Sequence, residues 1–191
     1  GTLTLQNAEI LAGVVLVQLK NPGTPVLYSS FSSAGDMNSG EITVGNSRYA
    51  KIIEATSQLS NYYDLPSMVG GGLTDSNQPG FQAGSESMLN MFTAVASGID
   101  MILYAAGSIK DYMGISYDKL VSDNEILKNL SNYQSEIKVS EETIARNAIS
   151  DIGSDGNYLT HTHTLKQLQN NEQLGEQNNI KENEPEVKYL K

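Results

Sequence analysis

The chain contains no cysteine among its 191 residues, and that absence excludes disulfides, thiolate metal sites and a thiol nucleophile. It also fits a reducing cytoplasm. Positive charge is scarce as well: 12 Lys and Arg stand against 22 Asp and Glu, a formal net charge of −10. Nucleic acid and anionic membrane surfaces reward clustered basic residues, so neither is an expected partner. No basic leader with a cleavage site precedes the first apolar stretch. The apolar stretch from Ile10 to Leu19 is too short to span a bilayer and reads as a buried helix. With only two histidines, both in one short segment, metal binding has little to build on.

What the chain does have is a length suited to one domain with a sizeable core. It opens on Gly1-Thr2-Leu3 and runs at once into apolar sequence, as expected of a piece of a longer protein. A helix from Leu5 to Leu19 ends at Lys20-Asn21-Pro22-Gly23. A β-type run follows over Pro25 to Ser30. Asn46 or Ser47 can cap a helix that continues to Tyr63. Pro66 to Gly71 reads as a strand, Phe81 to Ser97 as a helix, and Asp100 to Gly107 as a third strand. Two helices, Tyr117 to Ile137 and Ser140 to Ile152, complete the pattern, with Ser140 a good N-cap.

Strands alternating with helices predict an α/β fold built on a parallel sheet. Three such units suit either part of an eight-stranded barrel or most of a small open sheet. From Gln169 to Lys191 the sequence turns to Gln, Asn, Glu and Lys, which predicts a polar, disordered tail after a domain spanning 1–168.

The richest local signal is Gly70-Gly71-Gly72-Leu73-Thr74-Asp75-Ser76-Asn77, set between a strand and a helix. Such bends carry the chemistry of many α/β enzymes, because glycine admits a ligand close to the backbone. The spacing matches neither a P-loop nor a dinucleotide fingerprint, and no basic residue follows to hold a phosphate. Asp75 has a modest advantage as a pocket carboxylate over a turn residue. Asn77 is as readily a helix cap as a site residue. Tyr28, Phe31 and Tyr104, at or near strand ends, could box a cation through their ring faces, against the commoner alternative of packing. His161 and His163 would point the same way on an extended segment, and a hydrogen-bonding or wall role suits them better than metal ligation. Glu86 reads as a solvated or capping residue.

Several blocks resemble the trimethylamine methyltransferase family: Leu5 to Gly13, Asn21 to Val26, Tyr63 to Ser67, Gly72 to Ser76, Gln82-Ala83-Gly84, Ala105-Ala106-Gly107 and His161 to Leu165. They occur in family order and cover roughly Gly1 to Leu168. The resemblance implies a partial TIM (β/α)8 barrel, of which this chain is the C-terminal half. It further implies methyl transfer to the cobalt(I) of a cognate corrinoid protein, with the corrinoid supplied by that partner and no cofactor bound tightly here.

In the trimethylamine branch of the family, a pyrrolysine follows the Thr-Asp-Ser block; this chain has Asn77 there. Asn offers no electrophilic imine, so the resemblance places the chain in the branch acting on quaternary amines such as glycine betaine. A quaternary ammonium leaves as a neutral tertiary amine and needs no covalent activation, only positioning and exclusion of water. On that reading Asp75 and Asn77 form the catalytic set. Tyr28, Phe31, Gly71, Gly72, Tyr104, His161 and His163 contact substrate. Relatives with His where this chain has Tyr104 would differ in those contacts. The competing expectation is an inactive barrel fragment whose unpaired sheet edge invites association, including with a second copy.

Overall fold

The structure, a computed structural model, describes residues 1–38 and 40–170. They form two compact units, the first spanning Gly1–Ser135 and the second beginning at Glu136. The first unit is mixed α/β. Its elements are α1 (Thr2–Lys20), β1 (Tyr28–Ser29), β2 (Ala34–Gly35), β3 (Ile42–Thr43), α2 (Ser47–Tyr62), β4 (Ser67–Gly70), α3 (Phe81–Ala96), β5 (Met101–Leu103), β6 (Ser108–Ile109), β7 (Gly114–Ile115) and α4 (Tyr117–Gln134).

The three expected strands are present, shorter than predicted, and form one parallel sheet in the order β1-β4-β5. The order follows the chain without reversal. Among the described residues the sheet does not close into a barrel. Asp100 fixes the start of β4 by accepting the Ser67 amide and hydroxyl, both at 2.8 Å. Those bonds hold its carboxyl below its ordinary pKa. The core joins Val44, Tyr49, Ile53, Val69, Leu73 and Ala94, with Ile99 and Ile102 packed against it. α2 begins at Asn46, whose side chain accepts the Arg48 and Tyr49 amides, so Asn46 rather than Ser47 is the cap.

Two antiparallel hairpins were not foreseen in the sequence: β2–β3 follows β1, and β6–β7 follows β5. Each leaves the end of a parallel strand, on the side where the glycine bend also lies.

The expectation of a buried N-terminal helix is not met. α1 runs for 19 residues and is long and apolar enough to cross a bilayer by length and composition. Gln6 is its one buried residue. The helix is held by polar contacts: Asn7 donates to the Tyr63 hydroxyl at 2.8 Å and accepts from Tyr28 at 2.9 Å. Its apolar residues, including Leu5, Val15, Leu16 and Leu19, face outward because nothing in this unit lies over them.

In the second unit the predicted helix from Ser140 to Ile152 is broken in two, α5 (Glu141–Ile144) and α6 (Arg146–Ile152), by Ala145 at φ 56°. Ser140 caps α5 in a reciprocal box with Thr143. A 3-10 turn (Tyr158–Thr160) leads into α7 (Thr162–Asn170). Gln169 and Asn170 thus end a helix, and the rest of the predicted polar tail, 171–191, lies outside the described residues.

Candidate functional site

The glycines after β4 allow two chain segments to touch. Gly71 and Gly72 donate their amides to the carbonyls of Leu103 and Tyr104, each at 2.9 Å, and so extend the β4–β5 ladder past the strand ends. A Cβ on Gly72 would overlap the Ala105 backbone, and one on Gly71 would overlap Met91 and Ile102. Both amides are therefore occupied within the fold, and close packing requires glycine at both positions.

Beyond them the bend is fastened by carboxylates. Glu86 on α3 accepts the Thr74 hydroxyl at 2.5 Å, the Asp75 amide at 2.9 Å and the Gln82 side chain at 2.9 Å. It is a half-buried brace of the bend, in place of the solvated or capping role expected for it. Asp75 Oδ1 accepts the amides of Val44 and Gly45 at 2.6 and 2.8 Å and ties the bend to the start of α2. Asn90 adds a bridge, donating to the Val44 and Leu73 carbonyls at 2.8 and 3.2 Å.

The tip of the β6–β7 hairpin lies against this bend. Lys110 and Asp111 donate their amides to the carbonyls of Ser76 and Thr74 at 2.9 and 3.0 Å. Lys110, Asp111 and Tyr112 all adopt left-handed backbone, at φ 54°, 52° and 61°. Each costs on the order of 1 kcal/mol for a non-glycine residue, and strain of this kind collects at functional sites.

This conformation brings two side chains to the site. The Asp111 carboxyl is pushed up to about 7, first by burial, then by its hydrogen bond to Asp75 and the negative charges of Asp75, Glu41 and Glu86. The Tyr112 ring stacks on Tyr104, with centroids 6.0 Å apart and planes at 24°. Tyr104 itself stands at φ 49° and is 48% exposed. Below them Tyr49 donates to the Gly70 carbonyl at 3.2 Å, and burial raises its hydroxyl to about 12.

The hairpin tip thus links an acidic pair, Asp75 and Asp111, to an accessible aromatic pair, Tyr104 and Tyr112, through the adjacent residues Asp111 and Tyr112. That composition can receive an organic cation through ring faces and negative charge, with no donor needed from the ligand. Among the described residues, no group of three or more His, Asp or Glu side chains is placed to hold a metal ion.

The other predicted residues fall elsewhere. Tyr28 is fully buried, stacked on Tyr63 at 6.0 Å, with its hydroxyl on Asn7. Its ring is not presented beside Tyr104. Phe31 is exposed past the end of β1. Asn77 is exposed and makes no hydrogen bond through its side chain among the described residues; the α3 N-cap is Gly80. His161 and His163 lie in the second unit: His161 is extended (φ −71°, ψ 140°) just before α7, and His163 already belongs to that helix. The His163 amide donates to His161 Nδ1 at 3.2 Å, and its ring Nε2 lies 2.7 Å from the Glu142 carbonyl.

Sequence reasoning missed Asp111 and Tyr112. The clue available was a Lys-Asp-Tyr tip between two short β-type pairs, which no glycine marks as a turn.

Comparison with known proteins agrees with the family resemblance. The chain is 43% identical over 166 residues to a glycine betaine methyltransferase of Desulfitobacterium hafniense strain Y51, covering 87% of this chain and 35% of that protein. It is 34% identical over 173 residues to a trimethylamine methyltransferase of Desulfitobacterium hafniense strain DSM 10664 / DCB-2, covering 91% of this chain and 35% of that protein. A trimethylamine methyltransferase of Methanosarcina barkeri strain Fusaro / DSM 804 is 37% identical over 164 residues, covering 86% of this chain and 33% of the relative. The chain therefore spans about a third of the length of the relatives it matches. Residues 1–182 match the family described as trimethylamine methyltransferase (MTTB), and the chain belongs to that family.

Proposed function

We propose that the chain is part of a methyltransferase that moves a methyl group from a quaternary amine of the betaine type to the cobalt(I) of a corrinoid carried by a partner protein. The observation that carries this reading is the Tyr104–Tyr112 pair, accessible at the strand ends beside Asp75 and Asp111. A quaternary ammonium has no N–H to donate, so ring faces and nearby negative charge are what can recognise it.

Asn77 fits the same reading. It is exposed in the bend with no side-chain hydrogen bond among the described residues, and an amide cannot activate a tertiary amine covalently. In the transfer, the cobalt electron pair forms the bond to the methyl carbon while the C–N pair leaves with nitrogen. Cobalt(I) becomes methylcobalt(III), and the amine departs neutral. No proton moves, so the protein's task is to orient the cation and exclude water. Exposed Phe31, Met37 and Ile42 on one side and Met113 and Ile115 on the other supply apolar surface at the strand ends, suited to a docking protein.

A barrel origin is favoured by the sheet. The order β1-β4-β5 advances one way, and with right-handed crossovers this sets both connecting helices on one face. A second reading, in which the chain by itself is an inactive barrel fragment, is favoured by the outward apolar face of α1 and the two open edges of a three-stranded sheet.

The test is an assay of a full-length protein containing this chain, with a reduced corrinoid protein. Demethylation of glycine betaine with trimethylamine untouched is the expected result. Rapid trimethylamine turnover would overturn the branch assignment. Failure of every quaternary amine, with a competent corrinoid partner, would leave the fragment reading ahead.

A further inference from the structure

Lys119, on the first turn of α4, is 1% exposed, and Asp123 one turn later is 2% exposed. The Lys119 ammonium donates to the Gly72 carbonyl at 3.0 Å, the Ser87 hydroxyl at 2.7 Å and Asp123 Oδ2 at 2.5 Å. The same Asp123 oxygen accepts the Gly107 amide at 2.8 Å. Gly72 opens the bend that carries Asp75. Gly107 closes the bend that begins at Tyr104, and Tyr104 in turn accepts the Gly72 amide at 2.9 Å.

One buried ion pair therefore fastens both bends to the same turn of α4. Buried pairs recover little stability, because desolvating two charges consumes most of their attraction, and apolar residues of similar volume often serve as well. Stability gives a weak reason for this pair to be here; geometry gives a strong one. Tyr104 needs such a restraint, because its left-handed backbone at φ 49° is disfavoured for any residue with a side chain.

We infer that Lys119 and Asp123 are positioning residues: the pair sets the spacing of the Asp75 and Tyr104 bends and so the orientation of the Tyr104 ring. As a statement about substrate, this rests on the proposed recognition of a quaternary ammonium.

The experiment uses the full 191-residue chain with isotope-labelled tyrosine, the Tyr104 resonance being assigned by its loss in Tyr104→Phe. In Lys119→Met/Asp123→Leu the pair is removed from both sides, so neither charge is left buried alone. The melting temperature should hold within a few degrees while the Tyr104 resonance moves or broadens. Tetramethylammonium, titrated as the probe, should bind roughly tenfold more weakly. A Tyr104 resonance that stays in place with the pair gone would overturn the inference. Should that variant fail to fold, the isosteric Asp123→Asn decides by the same resonance, a shift supporting and no shift overturning it. If the wild-type chain binds no tetramethylammonium, the ammonium reading fails, and the resonance still decides the positioning role.

Discussion

Asp111 is anchored to the residue before Asp75, its amide donating to the Thr74 carbonyl at 3.0 Å, so the two carboxyls interact across the contact between the hairpin tip and the glycine bend. Burial and the facing negative charges of Asp75, Glu41 and Glu86 favour the protonated form of Asp111. An Asp111 side chain in the unfolded chain ionises near its ordinary value of 3.8, and the folded one near 7.

Between those values the folded state binds more protons than the unfolded state, so stability falls as pH rises through the window. Asp111→Asn keeps a donor toward Asp75 and cannot ionise. Its melting temperature should decline less than that of wild type between about pH 4 and 7. Thermal melts of both proteins check this, and parallel curves would refute the raised pKa of Asp111.

The two aromatic rings should act together on a cation. Tyr104→Ala and Tyr112→Ala should each weaken tetramethylammonium binding by about 1–2 kcal/mol. Calorimetric titration measures it. An effect confined to Tyr104 would mean that Tyr112 supports the ring without meeting the ligand.

Gly72 and Gly84 make opposite predictions for the same substitution. A Cβ at position 72 would overlap the Ala105 backbone, while one at position 84, inside α3, meets nothing within 4 Å. Gly72→Ala should lower stability by about 1–3 kcal/mol. Gly84→Ala should raise it by about 0.5–1 kcal/mol by favouring the helix. Denaturant unfolding of the pair is the measurement.

Asn46 and Asn77 separate a cap from a free side chain. Asn46→Ala removes the acceptor of two α2 amides and should cost about 1 kcal/mol. Asn77→Ala removes no hydrogen bond and should change stability by less than about 0.5 kcal/mol. A larger loss at Asn77 would restore the capping role first expected of it.

How much could be read in advance follows from how local each signal was. Asn46 and Ser140 announced their helices through short-range bonds to the next few amides, and both caps are present. The three parallel strands were visible as apolar runs bounded by turn residues. The hairpins were not, because two-residue strands are too short to show alternation. Asp111 and Tyr112 depend on left-handed backbone at non-glycine residues, imposed by bonds to Ser76 and Thr74 more than 30 positions earlier. Lys119 and Asp123, four apart on a helix, look in sequence like an ordinary surface pair. Only tertiary packing reveals that they are buried. His161 and His163 failed as an extended pair because the chain between them starts a helix.

The contact at Gly72 also bears on what can vary around it. The bends after β4 and β5 are joined amide to carbonyl, with no room between them for even a methyl group. This joint is made of peptide groups, and peptide groups have no rotamers to sample. Side chains carried on the two bends can therefore be exchanged while this main-chain joint at Gly72 stays unchanged, so long as position 72 remains glycine.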